Sequence, residues 1–202
     1  WEAIQKYEIN VLLITPSVLS MQCEFLLASK IMEQIRILIL GGEKPSCQLI
    51  EQIQKIKSKS CRVFNAYGPT ENTVFSCIHE IEEKNRRNVL PIGKPTENIE
   101  AYIVDSNESL VPPYLPGEII LSGENLALGY VNDKLTQKHF KEISLFNREC
   151  KLFYKTGDVG YWDANGELVF LGRLDEQVKV NGCRISPSEI EFYLNLHPKV
   201  KR

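Results

Sequence analysis

The chain has 202 residues, 43% of them apolar, and a formal charge of −2. That is enough apolar material for one large domain or two small ones with a true core. The near-neutral charge points to neither a nucleic-acid nor a membrane partner, and the apolar runs 11–14 and 37–40 are far too short to span a bilayer. The cysteines at 23, 47, 61, 77, 150 and 183 form no C-x-x-C and fit no metal-site spacing. They read as free thiols of a reducing compartment, so a cytoplasmic location is expected. His79, His139 and His197 are scattered without ligand spacing, and no signal peptide is visible. The first residue is Trp1 rather than Met and the last are Lys-Val-Lys-Arg202, so both ends read as cut from a longer chain.

Taken in order, residues 11–14 form a continuous apolar run, as in a strand buried on both faces of a parallel sheet. Thr15-Pro16-Ser17 breaks it, and Thr15 or Ser17 can cap a helix predicted over 18–32. A second buried strand is predicted over 35–40, ending in Gly41-Gly42-Glu43-Lys44-Pro45. Ser46 then caps a helix to about 57 with Leu49, Ile50, Ile53 and Ile56 on one face. Residues 61–64 make a third strand. Strand, helix, strand, helix, strand predicts right-handed βαβ units with a parallel sheet. Ligands of such sheets bind beyond the carboxyl ends of the strands, where the double glycine and the turn at 65–71 both fall.

From residue 99 the texture changes. Short strands are predicted over 101–104, 118–121, 152–154, 160–162, 167–170 and 177–180, punctuated by Gly and Pro, with one helix over 134–140. This reads as a small antiparallel sheet or barrel. Asn165-Gly166 marks a hairpin. Ser186-Pro187-Ser188-Glu189 reads as a capped helix start.

The stretch Asn65-Ala66-Tyr67-Gly68-Pro69-Thr70-Glu71 lies between strand-like runs 61–64 and 73–81. Gly68 gives backbone freedom and room for a ligand near the main chain, and Pro69 stiffens the turn. The Thr70 hydroxyl beside the Glu71 carboxylate suits a phosphate and its Mg²⁺, since hard cations take oxygen ligands. Tyr67 offers a flat face to a base. A plain strand-turn-strand with a buried Tyr fits the same letters. Asp158, in Tyr154-Lys-Thr-Gly-Asp158, can accept two hydroxyl hydrogen bonds, as from a ribose, or simply bond its own turn. Arg173, in the charged run 172–184, offers a planar fork to phosphate or a solvated hairpin surface.

The order and spacing of these pieces narrow the choice. N-A-Y-G-P-T-E at 65–71, P-G-E-I-I-L-S-G-E-N-L-A-L-G-Y at 116–130, Y-K-T-G-D at 154–158 and G-R-L-D-E-Q-V-K-V-N-G-C-R-I at 172–185 resemble successive motifs of the adenylate-forming enzymes. N-T-V-F-S at 72–76 and P-I-G-K-P at 91–95 resemble those of the amino-acid-adenylating domains of nonribosomal peptide synthetases. The resemblance covers nearly the whole chain. It implies an α/β fold in three parts: a βαβ part of the large domain at 1–95, a β-rich, barrel-like subdomain at 96–174, and the hinge and beginning of a small α+β domain at 175–202.

It also implies a two-step reaction. A carboxylic acid is activated by ATP·Mg²⁺ to an acyl-adenylate with loss of pyrophosphate. The acyl group then passes to the phosphopantetheine thiol of a carrier-protein domain. By position, Gly42, Glu43 and Lys44 border the adenine, Tyr67 stacks on it, and Asn65, Ala66 and Gly68 also bind the nucleotide. Thr70 touches phosphate and Glu71 holds Mg²⁺, the two being the catalytic candidates of this chain. Asp158 takes the ribose, Phe170 lies beside the nucleotide, Arg173 and Arg184 contact it, and Asp175 is the hinge. The acyl pocket falls to Leu13, Ile39, Gly41, Ala66, Val74 and Phe75, all apolar or small, so an apolar amino acid is expected.

The family's Gly/Ser/Thr-rich phosphate loop, the aspartate for the substrate amino group and the catalytic lysine all fall outside these residues. The chain by itself is therefore expected to be inactive, with the remaining parts of its own domain as partners. Leu128 stands where the family often has Arg. A D-alanine–carrier-protein ligase, an acyl-CoA ligase and a non-catalytic nucleotide-binding or interaction remnant are the competing readings.

Overall fold

A computed structural model gives the fold and describes residues 2–29, 31–82, 89–146, 149–175, 178–180, 183–185, 187, 190, 191 and 194. After a short helix α1 (Glu2–Lys6), β1 (Val11–Ile14) leads into α2 (Pro16–Ala28) and a single-turn α3 (Ile31–Gln34). Next come β2 (Ile37–Gly41), α4 (Cys47–Ile56) and β3 (Arg62–Tyr67). The two βαβ units follow the predicted order, with β1, β2 and β3 parallel. Ser46 accepts the Leu49 N–H at 3.1 Å, the expected N-cap of α4. Leu38, Leu40 and Val63 of the sheet meet Leu19, Cys23 and Leu26 of α2 and Leu49 and Ile53 of α4 in one buried cluster. These helices cover one face of the sheet.

Several boundaries differ from the sequence expectation. The helix predicted over 18–32 closes at Ala28, because Ser29 turns extended at φ −104°. Thr15 stands at its N-cap but makes no side-chain cap bond. Residues 65–67, read as part of a turn, extend β3 instead. The strand predicted over 73–81 is confined to β4 (Cys77–Glu80), because residues 70–72 form a 3₁₀ turn and Thr73 takes φ +65°. β4 runs antiparallel to β3, and the two-residue β5 (Lys94–Pro95) closes that sheet.

The rest is a five-stranded antiparallel sheet of β6 (Ile99–Val104), β7 (Gly117–Gly123), β8 (Phe140–Ile143), β9 (Lys151–Trp162) and β10 (Leu168–Arg173). α5 (Asp133–His139) precedes β8, in place of the helix predicted over 134–140. The order is β10-β9-β7-β6 with β8 on β9, and no closed barrel is found among the described residues. The strands predicted over 152–154 and 160–162 are one strand, β9, in which Gly157 at φ +70° absorbs a bulge against β7. Asn165-Gly166 makes the β9–β10 hairpin, with Gly166 at φ +66°. A separate pair, β11 (Val178–Val180) and β12 (Cys183–Ile185), follows. Of the capped helix start at 186–189, residue 187 is described and helical, and 186, 188 and 189 lie outside the described residues.

Two devices join the sheets. Cys77 of β4 packs with Ala101, Ile103, Ile119, Leu121 and Leu168 of the second sheet. His79 of β4 meets Glu167 at 2.6 Å, both largely buried. Gly93 makes the crossing between them possible, since a Cβ there would stand 1.9 Å from the Ile78 carbonyl. No helix among the described residues is long and apolar enough to cross a membrane.

Candidate functional site

β2 and β3 end side by side, Gly41 paired with Ala66. Their alternation sends Leu38, Leu40 and Val63 toward the helices, so Ile39, Gly41, Phe64 and Ala66 face the other way. Leu13 of β1 is paired with Ile39 and is half exposed on that same face. The Phe75 ring crosses over Gly41, 3.0 Å from where a Cβ would stand. The structure thus brings Leu13, Ile39, Gly41, Ala66 and Phe75 to one face of the sheet. Val74, next in sequence to Phe75, is 56% exposed.

Beyond β2, Gly42 at φ +87° turns the chain so that Glu43 reaches the first turn of α2. Its carboxylate accepts the Ser17 N–H at 3.3 Å and the Ser17 hydroxyl. A carboxylate is stabilised there by the orphan N–H groups and dipole of a helix start. Lys44 beside it is exposed. The cap that the sequence assigned to Thr15 or Ser17 thus comes from Glu43.

Beyond β3, Asn65 is buried and donates from Nδ2 to the Pro91 carbonyl at 2.7 Å. Gly68 has a close main-chain neighbour of its own: a Cβ there would stand 2.4 Å from the Val74 carbonyl. The turn folds back tightly enough for Ser76 N–H to reach the Tyr67 carbonyl at 2.7 Å. Thr70 is exposed at its tip and Glu71 is buried, 8% exposed.

Tyr67 turns its hydroxyl to Asp158 at 2.5 Å. Burial, and then the Asp158 charge and hydrogen bond, hold the Tyr67 phenol well above the usual tyrosine range. The Phe170 ring centre is 6.4 Å from that of Tyr67, tilted by 32°. Arg173 donates from Nη1 to the other Asp158 oxygen, and from Nε and Nη2 to both oxygens of Asp175 at 2.6 and 3.0 Å. Burial opposes the Arg173 charge, but the Asp175 and Asp158 carboxylates outweigh it and raise its pKa. Tyr67, Asp158, Phe170, Arg173 and Asp175 therefore form one connected group. Arg184 lies on β12 opposite Lys179, and its side chain is outside the described residues.

Two side chains in the quoted motifs acquire partners that spacing did not indicate. Tyr130 donates its hydroxyl to Glu71, 59 residues away, and Tyr154 stands with its hydroxyl 3.3 Å from that of Tyr130. Their signal was the G-Y that closes the 116–130 motif and the Y that opens Y-K-T-G-D. No local rule says which distant carboxylate they meet.

Glu71 and Thr70 offer hard oxygen donors, and no group of three or more Cys, His, Asp or Glu suited to a metal occurs among the described residues. A cation held by one carboxylate, with the rest of its shell from water and a substrate's phosphates, is the manner of Mg²⁺. The donor set fits it.

The phenol at the end of parallel β3 thus meets a carboxylate of β9 and a guanidinium of β10, strands of the antiparallel sheet, with Glu71 in the turn beyond; strand ends of this kind are where ligands of α/β proteins bind. The chain belongs to the AMP-binding enzyme family, the ATP-dependent, AMP-forming ligases, whose model matches residues 1–131. It is 37% identical over 192 residues to cyclosporin synthetase simA of Tolypocladium inflatum, covering 94% of this chain and 1% of that protein. Among solved structures, holo-PA1221, an NRPS protein with adenylation and PCP domains, superposes with a TM-score of 0.89 at 28% identity, over 98% of this chain and 34% of that one. The Vibrio cholerae adenylation domain AlmE, bound to glycyl-adenosine-5'-phosphate, gives 0.81 at 28% identity, over 96% and 37%. The chain spans 1% of the length of cyclosporin synthetase simA and 6% of that of PF 1022-synthetase of Rosellinia sp..

Proposed function

We propose that this chain is the part of an amino-acid adenylation domain that holds the nucleotide and lines the acyl pocket. The protein that carries it would activate an apolar amino acid for nonribosomal peptide synthesis. The amino-acid carboxylate attacks the α-phosphorus of ATP and pyrophosphate leaves. A carrier-protein phosphopantetheine thiol then attacks the acyl carbon and AMP leaves. This reading places the nucleotide-holding core in 1–95 and 96–174, and the hinge and the start of a mobile small domain in 175–202.

The observation that carries the reading is the group formed by Tyr67 at the end of β3, Asp158 at the bulge of β9, and Phe170 and Arg173 of β10. In the proposed roles, the Tyr67 ring stacks on the adenine, with Gly42, Glu43 and Lys44 on its border, Phe170 lies beside the nucleotide, and Asn65, Ala66 and Gly68 also contact it. Asp158 takes the ribose hydroxyls, and Arg173, with Arg184, meets the ribose or phosphate. Thr70 donates to phosphate. Mg²⁺, held by Glu71, would neutralise charge on the phosphates. The chain's own contribution is positioning and fixed dipoles, which is most of what such chemistry asks of a protein. Leu13, Ile39, Gly41, Ala66, Val74 and Phe75 line the acyl pocket and select an apolar class, since such pockets separate neighbouring hydrocarbons only weakly.

The test is ATP–pyrophosphate exchange with a panel of amino acids on the full-length protein. Exchange with apolar amino acids is expected, cut by 100-fold or more (~3 kcal/mol) in Asp158→Ala. The 202 residues alone, which contain no Gly/Ser/Thr-rich phosphate loop, are expected to give none. Exchange only with fatty or aryl acids would move the assignment to an acyl-CoA ligase. No exchange with any acid would remove the enzymatic reading.

A further inference from the structure

The loop 123–130 is fastened to the turn 70–73 at several points. Ala127 N–H donates to the Glu71 carbonyl at 2.9 Å. The Thr73 hydroxyl donates to the Asn125 carbonyl at 2.7 Å. Tyr130 donates to the Glu71 carboxylate. The turn so held is strained, since Thr73 is β-branched and sits at φ +65°. Such conformations persist only where their surroundings over-determine them. Tyr130 is itself fixed from several sides. Its N–H reaches the Thr136 hydroxyl at 2.8 Å. Its ring stands edge-on to Phe140 and His139, at 5.7 and 6.0 Å between centres. Its hydroxyl lies 3.3 Å from that of buried Tyr154.

We propose that Tyr130 is a positioning residue for the cation site: its hydroxyl fixes the rotamer of the Glu71 carboxylate, so that one oxygen is bonded and the group is oriented before the cation arrives. This rests on Glu71 being the protein's cation ligand. Partners behind a ligating carboxylate limit its swing, and their loss commonly weakens metal binding ten- to a hundredfold. The oriented carboxylate also spares the entropy of ordering it on binding. The Tyr130 hydroxyl bonds Glu71, whereas the nucleotide group is built on Asp158, so cation and nucleotide binding are measured apart.

The test is Mn²⁺ binding to the full-length protein with a non-hydrolysable ATP analogue, read by electron paramagnetic resonance of the free ion, beside AMP binding without metal. Tyr130→Phe keeps the ring packing and removes only the hydroxyl. Mn²⁺ binding about tenfold weaker with AMP affinity unchanged is the expected result. Unchanged Mn²⁺ binding overturns the proposal. So does a parallel loss of AMP and Mn²⁺ binding with a lowered melting temperature, which would make Tyr130 a structural tie only. Thr136→Val, which unties the Tyr130 main chain, should give a smaller loss of the same kind, and no loss counts against the proposal. Glu71→Gln separates the two levels. If it leaves Mn²⁺ binding intact, Glu71 is not the ligand and the site reading itself fails. If it weakens binding while Tyr130→Phe does not, only the positioning role fails.

Discussion

Asp158 shows how a single side chain is tuned by burial and partners. It is 7% exposed and sits between the Tyr67 hydroxyl and the Arg173 guanidinium. The same arrangement raises the Tyr67 pKa, first through burial and then through the Asp158 charge. The phenol therefore stays protonated in the folded chain at pH values where the unfolded chain ionises. Stability from this source is full below about pH 10 and falls as pH rises beyond it, by up to roughly 1.4 kcal/mol per pH unit. Denaturation midpoints measured from pH 8 to 11 should fall more steeply in the wild type than in Tyr67→Phe. Equal slopes would disprove the assignment. Cysteine reactivity offers a second check. Burial pushes the Cys77 thiol up to about 12, while Cys47 and Cys150 are exposed. Thiolates rather than thiols react, so iodoacetamide at pH 8 should label Cys47 and Cys150 and spare Cys77, as read by peptide mass spectrometry.

Elements with local signals were legible. Ser46 with its amphipathic run gave α4, the four apolar residues 11–14 gave β1, although Val11 and Leu13 are half exposed on one face of this edge strand rather than buried as expected, and Asn165-Gly166 gave the β9–β10 hairpin. Ser46→Ala should cost about 1 kcal/mol in equilibrium denaturation, and a cost near zero would mean that Ser46 adds nothing to the helix start. β9 was not legible as one strand, because Thr156-Gly157-Asp158 has turn composition. The bulge at Gly157 is decided by pairing with β7, which no neighbouring residue encodes. Much the same holds for the site. The letters of Tyr67, Glu71, Asp158 and Arg173 could be matched to a family. Their mutual bonds, and that of Tyr130 with Glu71, join residues from 15 to 91 positions apart. Only the folded chain displays them.

At the scale of the whole molecule, stability depends on two sheets meeting through β4. Gly93→Ala would drive a methyl into the Ile78 carbonyl at a φ of +91°. It should be among the most destabilising single changes, by several kcal/mol. A melting temperature within a degree or two of wild type would show that the crossing can yield. The His79–Glu167 contact at 2.6 Å should appear in a double-mutant cycle of His79→Ala and Glu167→Ala as about 0.5–3 kcal/mol of coupling. Additive effects would make it incidental.

β9 carries both ends of the site. Tyr154, which supports Tyr130 and through it Glu71, and Asp158, which meets Tyr67 and Arg173, belong to the same strand. Four residues of strand span at most roughly 13 Å, and the bulge shortens this. On the proposed roles, the separation between the cation-holding and ribose-holding halves would be a length standard written in backbone rather than an adjustable gap between loops. Side chains around it would vary the acid that is bound, while the interval at which a nucleotide is gripped would be set by peptide geometry. One residue added or lost between Tyr154 and Asp158 would put that gauge out by a whole step.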